Sequence, residues 1–118
     1  MLDKRQFYIN GKWVYPTETN DYEVINPSNE KSIATISLGT IKEVNLAVKA
    51  AKKAFLTWSC VEKKEKVNLL ENLLKIYKSR WDEITQIMSD EMGAPLDWSS
   101  SAQTSSGADH INDFILRL

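Results

Sequence analysis

Few side chains in this sequence have the type and spacing that catalysis requires. Cys60 is the single cysteine and the one soft nucleophile. It lies in Thr57-Trp58-Ser59-Cys60-Val61, near an expected helix start, where a helix dipole would favour a thiolate. No histidine is near it in sequence and no glutamine-glycine pair precedes it, so it reads as a structural or surface thiol. His110 is the single histidine, with Asp109 before it and Asp113 three residues on. That grouping could form a base with an orienting acid. With no nucleophile to serve, it reads as a surface or helix-packing histidine. Ser105-Ser106-Gly107 lacks the strand-turn-helix setting of a nucleophile elbow. Asp90-Glu91 is a lone acidic pair at a helix end, too little for a metal cage. The four glycines, Gly11, Gly39, Gly93 and Gly107, are too dispersed to cradle a phosphate. Trp13, Trp58, Trp81 and Trp98 are scattered and lack a basic groove, so they read as core anchors rather than a nucleic-acid stacking platform. No residue is assigned a catalytic, cofactor-binding or metal-binding role.

The elements that would position these groups can be read in order. Gln6-Phe7-Tyr8-Ile9 and Lys12-Trp13-Val14 flank Asn10-Gly11, a strong signal for a type I′ hairpin, which needs positive φ at both central residues. Tyr22-Glu23-Val24-Ile25 and Ser32-Ile33-Ala34-Thr35-Ile36 form a second strand pair, turned by Asn26-Pro27-Ser28-Asn29. Gly39 ends the strands. Thr40-x-x-Glu43 is a capping box, in which a hydroxyl and a carboxylate satisfy the first backbone donors of a helix. Val44, Ala47, Val48, Ala51, Ala54, Phe55 and Trp58 then recur at helical spacing, and the face they make is expected to be core. Ser59-x-x-Glu62 is a second candidate capping box. Val67, Leu70, Leu73, Leu74, Tyr77, Trp81, Ile84, Ile87 and Met88 continue the helical pattern over residues 62–92, long enough that a break near 79–82 is expected. Gly93 fits a left-handed C′ position, and Pro95 prevents continuation. Ser99-Ser100-Ser101 read as N-cap candidates for a further helix carrying Ala102, Ile111, Phe114, Ile115 and Leu118. The chain closes on Phe114-Ile115-Leu116-Arg117-Leu118. Either that helix docks on its own core, or the chain is cut short inside a larger domain.

Composition sets the outer bounds. The chain has 118 residues, 42% hydrophobic and 26% charged, which fits one small globular domain. A net charge of −1 gives no bulk attraction to nucleic acid or anionic membranes. The basic residues alternate with acidic ones, as in Glu62-Lys63-Lys64-Glu65-Lys66. One cysteine excludes an internal disulfide and is compatible with a reducing cytoplasm, the expected location. No segment approaches the ~20 apolar residues of a membrane span, and no secretory signal is expected at the N-terminus.

Four motifs, in order, resemble the aldehyde dehydrogenase superfamily. Phe7-Tyr8-Ile9-Asn10-Gly11-Lys12-Trp13 resembles the "INGxW" strand. Ile25-Asn26-Pro27-Ser28-Asn29-Glu30 resembles the "NPxTGE" turn, with Asn29 read in place of the glycine and tolerated there through its ease in αL. Val44 to Phe55 with Trp58 is similar to the "AVxAAxxAFxxW" helix. Glu91-Met92-Gly93-Ala94-Pro95 resembles the "ExGKP" helix terminus, with Ala94 for the usual lysine, and Lys66 stands where arginine is common. The resemblance implies an α+β fragment of an α/β Rossmann-like domain: two hairpin-like strand pairs followed by three to four helices. It implies that residues 1–118 are the N-terminal portion of the cofactor-binding domain of a longer enzyme. Within it, 1–38 are strands and 40–58, 62–92 and 99–118 are helices, the third approaching the substrate entrance.

The parent would be an oligomeric oxidoreductase using NAD or NADP to turn an aldehyde into a carboxylic acid. The family's "GQxC" nucleophile, "ELGG" base and "GxTxxG" cofactor turn do not occur here. The isolated chain is therefore expected to be inactive and to bind no cofactor. Its expected partners are the remainder of the enzyme, or further copies meeting through exposed apolar helix faces. Two alternatives remain at this stage: a standalone non-catalytic α+β interaction module, and a piece of a CoA-acylating or semialdehyde dehydrogenase.

Overall fold

The computed structural model describes every residue, Met1–Leu118, and divides into two units, Met1–Cys60 and Val61–Leu118. Size alone suggests one domain; the division falls between Cys60 and Val61. The protein is α+β.

In the first unit, β2 (Phe7–Ile9) and β3 (Lys12–Val14) pair antiparallel, Phe7 opposite Val14. Asn10 (φ 54°) and Gly11 (φ 76°) make the turn that the Asn-Gly pair predicts. Tyr8 and Trp13 face each other across it, ring centroids 5.2 Å apart. A second sheet has the order β1-β5-β4. Here β4 (Asp21–Asn26) runs antiparallel to β5 (Lys31–Ser37), with a register shift between Val24 and Ile25. The strand β1 (Leu2–Lys4) pairs parallel with β5, Leu2 opposite Ala34. Sequence reasoning did not find it, because three exposed residues of mixed polarity carry no periodicity. As the middle strand, β5 is the most buried, with Ala34, Thr35 and Ser37 all inside.

The β4–β5 turn corrects the expectation for Asn29. The left-handed residue is Glu30, at φ 60°. Counted from Asn26, the glycine of the "NPxTGE" pattern falls on position 30, one residue beyond Asn29. Asn29 serves differently: its Oδ1 accepts from Lys31 N at 3.0 Å. Asn26 Oδ1 accepts from Ser28 N at 2.9 Å, and Asn26 O accepts from Glu30 N at 2.8 Å.

The helix α1 (Ile41–Trp58) completes the first unit. Its expected core face is not buried in this chain. Val44, Val48, Phe55 and Trp58 are all exposed, Phe55 by 64%. Amphipathic spacing shows that a face is built to be covered, not that this chain covers it.

The second unit contains α2 (Lys63–Ser79) and α3 (Trp81–Met92), separated at Arg80. Ser59 does not cap α2. It closes α1 in αR geometry, and Glu62 is the uncapped N-cap of α2. Gly93 ends α3 in αL at φ 71°. After Pro95, a helical turn α4 (Leu96–Trp98) leads directly into a π-helical turn, Ser99–Thr104, and then α5 (Ser105–Arg117). Ser99, Ser100 and Ser101 are therefore not N-caps but lie inside a helical run that has already begun. The tryptophans are mostly not core anchors either: Trp13, Trp58 and Trp98 are exposed, and Trp81 alone is half-buried.

Glu30 occupies a conformation that costs a side-chain-bearing residue about 1–2 kcal/mol. After the extra flexibility of glycine in the unfolded chain is offset, Glu30→Gly is expected to raise stability by about 0.5–1 kcal/mol. Urea unfolding of the two chains measures this; an unchanged or lower midpoint would contradict the turn assignment.

Candidate functional site

The most constrained polar group is the Glu43 carboxylate, in the first turn of α1. It is 5% exposed. Its Oε2 accepts from Thr40 N at 2.9 Å and from Thr40 Oγ1 at 2.6 Å, the capping box read from sequence. Its Oε1 accepts from Thr17 N at 3.0 Å and Thr17 Oγ1 at 2.6 Å, in the loop between β3 and β4. The hydroxyl bonds from Thr17 and then Thr40, followed by the two backbone bonds, hold its pKa far below the ordinary carboxylate range against the opposing effect of burial. Such a group is a poor base. Beside it lies a shallow cleft of about 280 Å³ lined by Phe7, Tyr8, Ile9, Gly39, Val44 and Ala47, with no second carboxylate, histidine or cysteine.

The remaining candidates are dispersed. Cys60 is exposed in the link between α1 and α2, two residues before the Glu62 N-cap, 3.9 Å from Leu56 O and 3.8 Å from Ser59 Oγ. His110 is exposed on α5. Asp113, the acid that might orient it, is engaged by Arg117 Nε at 2.6 Å one turn later. Ser105 is a helix residue, its hydroxyl given to Ser101 O at 2.6 Å. Asp90 accepts from Gln86 Nε2 at 3.2 Å. No three His, Cys, Asp or Glu side chains come together as a metal site. No helix is long and apolar enough to cross a membrane. Gly11 and Gly93 serve turn and helix end, and Gly39 and Gly107 sit against Phe7 and Tyr77.

What sequence reasoning missed is the second half of the Glu43 site, because nothing in Thr17 marks it as a partner of a residue 26 positions away. It also missed a polar seam in the second unit. Thr85 and Thr104 share a buried hydroxyl hydrogen bond of 3.0 Å, Trp81 Nε1 donates to Ser100 Oγ at 2.9 Å, and Tyr77 OH donates to Thr104 O at 3.0 Å.

The profile of the aldehyde dehydrogenase family matches residues 13–116, and the chain belongs to that family. It is 48% identical over 96 residues to a 3-succinoylsemialdehyde-pyridine dehydrogenase of a Pseudomonas species, covering 81% of this chain and 20% of that protein. The crystal structure of an aldehyde dehydrogenase from Bartonella henselae superposes with a TM-score of 0.95 at 45% identity, over 98% of this chain and 24% of that one. Aldehyde dehydrogenase C of Pseudomonas syringae, solved with NAD⁺ and octanal, gives a TM-score of 0.89 at 30% identity over 92% of this chain and 22% of its own. The chain thus spans less than a quarter of the length of these relatives.

A carboxylate whose folded pKa is lowered stabilises the fold fully above its unfolded value, near 4.5, and loses that contribution as pH falls below it. The wild-type chain is expected to lose thermal stability as pH falls below about 4.5. Glu43→Gln should be less stable at neutral pH and show a flatter acid profile. Parallel profiles for the two chains would show that Glu43 is not the group responsible.

Proposed function

We propose that this chain is the N-terminal part of the cofactor-binding domain of an NAD(P)-dependent aldehyde dehydrogenase, and that the whole enzyme oxidises an aldehyde to a carboxylic acid in the cytoplasm. The observation that carries this reading is the family match across residues 13–116 in a chain covering 20–24% of its relatives. The Pseudomonas relative is named for a semialdehyde and the Pseudomonas syringae structure contains octanal and NAD⁺, which supports an aldehyde substrate and a nicotinamide cofactor.

The chemistry would be supplied elsewhere in the enzyme. Aldehyde oxidation of this kind needs a thiolate, an oxyanion donor, a base and a hydride acceptor. The donors here do not fit a dinucleotide phosphate. At the start of α1, the hydroxyls and amides of Thr17 and Thr40 are committed to Glu43, whose own charge would repel an anion. The role of this segment is then architectural. Exposed Val44, Val48 and Phe55 on α1, and Phe114 and Leu116 on α5, are surface for the remainder of the enzyme to cover.

Two measurements test the reading. Purified chain incubated with NAD⁺ or NADP⁺ and an aldehyde series is expected to form no reduced cofactor, whereas a coding sequence continuing past Leu118 is expected to contain the "GQxC" and "ELGG" motifs. Aldehyde-dependent NADH from the chain alone would overturn its inactivity; a continuation without those motifs would overturn the parent enzyme. Light scattering of the isolated chain should show mass rising with concentration. A stable monomer at every concentration would favour an independent module instead.

A further inference from the structure

Residues 96–117 form one helical run whose middle, Ser99–Thr104, is wound as a π-helix. A wide turn of this kind displaces backbone donors from their usual carbonyls. Ser105 N–H goes to Ala102 O instead of Ser101 O, and the Ser105 hydroxyl supplies Ser101 O at 2.6 Å. Ser101 Oγ does the same for Asp97 O at 2.7 Å. Thr104 O takes its hydroxyl from another helix, Tyr77 OH of α2, at 3.0 Å. Gly107 is what lets that ring in: a Cβ at 107 would lie 2.3 Å from the Tyr77 hydroxyl oxygen and 2.8 Å from Cζ. Against these gains stand two buried polar atoms with no hydrogen-bond partner, Ser99 Oγ and Gln103 Oε1, both within the same turn. Orphaned buried groups are rare and costly. The wide turn is therefore held by hydroxyl contacts against an internal penalty, the condition under which a second arrangement lies close in energy.

We propose that residues 96–104 have two helical registers, and that the Tyr77 hydroxyl, seated over Gly107, is the latch that selects the π register. Closing the turn to α geometry rotates residues 96–100 by about 100° about the helix axis, the angle of one α-helical residue. That rotation withdraws Ser100 from the Trp81 indole, which donates to it at 2.9 Å. The face that this segment presents is thus decided by one hydroxyl that is remote from it in sequence. Wide turns of this kind recur at functional sites because they re-aim side chains.

The Trp81 indole N–H resonance of the chain, assigned with Trp81→Phe, reads the register directly. Tyr77→Phe keeps the ring and removes the latch. It is expected to move that resonance to a second position, and to speed amide exchange over residues 102–105 roughly tenfold, as loss of one hydrogen bond to local opening would. Gly107→Ala expels the Tyr77 ring, which packs edge-on against Trp81 at 6.3 Å between centroids, so it is read by amide exchange, expected to speed over residues 102–105 at least as much as in Tyr77→Phe. Ser105→Ala, which deletes one oxygen without disturbing packing, should move the resonance part of the way. If Gly107→Ala does not fold, the other two variants still decide. An unshifted resonance and unchanged exchange in both Tyr77→Phe and Ser105→Ala would overturn the latch.

Discussion

One carboxylate organises the first unit. Glu43 receives two hydroxyls and two backbone amides, from Thr17 in a loop and from Thr40 at the start of α1. Without it the capping box of α1 is reduced to the Thr40 hydroxyl, which accepts from Lys42 N at 3.2 Å, and Thr17 loses its two hydrogen bonds to the helix. The group is buried, so its charge has to be matched by donors on every side, and an ionised carboxylate accepts more strongly than any neutral side chain of similar size. This single requirement fixes where the strand segment ends and where the helix begins. It also removes Glu43 from chemistry, since a carboxylate held this firmly ionised has little affinity for a proton.

The same trade recurs through the chain. Asn26 and Asn29 spend their side-chain oxygens on the β4–β5 turn, Ser105 spends its hydroxyl on its own helix, and Asp113 is paired with Arg117. Polar side chains that stand out in the sequence are already engaged by local backbone or side-chain partners. Family membership is readable for this reason. Three of the four motifs that resemble aldehyde dehydrogenases centre on a turn or a helix end, where only a few residue types supply the backbone conformation; the fourth is the apolar face of α1.

Legibility in the sequence follows the range of the interaction. The Asn10-Gly11 turn, the Thr40–Glu43 box and the left-handed Gly93 are set by residues within a few positions of one another, and all three could be read. The parallel strand β1 depends on partners more than thirty positions away and leaves no pattern of its own. The left-handed conformation fell on Glu30, which has no special tolerance for it, so composition pointed to Asn29 instead. Ser59 and Glu62 have the spacing of a cap, but α1 runs on until Ser59 closes it. The apolar stripe of α1 is legible as a stripe, but this chain leaves Val44, Val48, Phe55 and Trp58 exposed. Periodicity records which face must be covered; it cannot record which residues cover it.

The burial pattern carries the argument furthest. The fully buried side chains of the second unit are Ser99 and Thr104, and Ala108 is its one buried apolar residue, while Leu69, Leu73, Ile76, Ile87 and Phe114 are exposed. A buried hydroxyl pair such as Thr85–Thr104 contributes about 1 kcal/mol net, less than the roughly 1.5–3 kcal/mol from burying one leucine or phenylalanine. The half-buried Leu70, Leu74, Ile84, Met88, Ile111 and Ile115 supply the apolar packing of this unit, and the hydroxyl pair is not its main source of stability. What the pair provides is geometric selection, because a hydrogen bond between two threonines tolerates far less displacement than a contact between two leucines. In this chain that selection falls on α3, Tyr77 and the wide turn, where a continuous α-helix would otherwise be the simpler structure for residues 96–117.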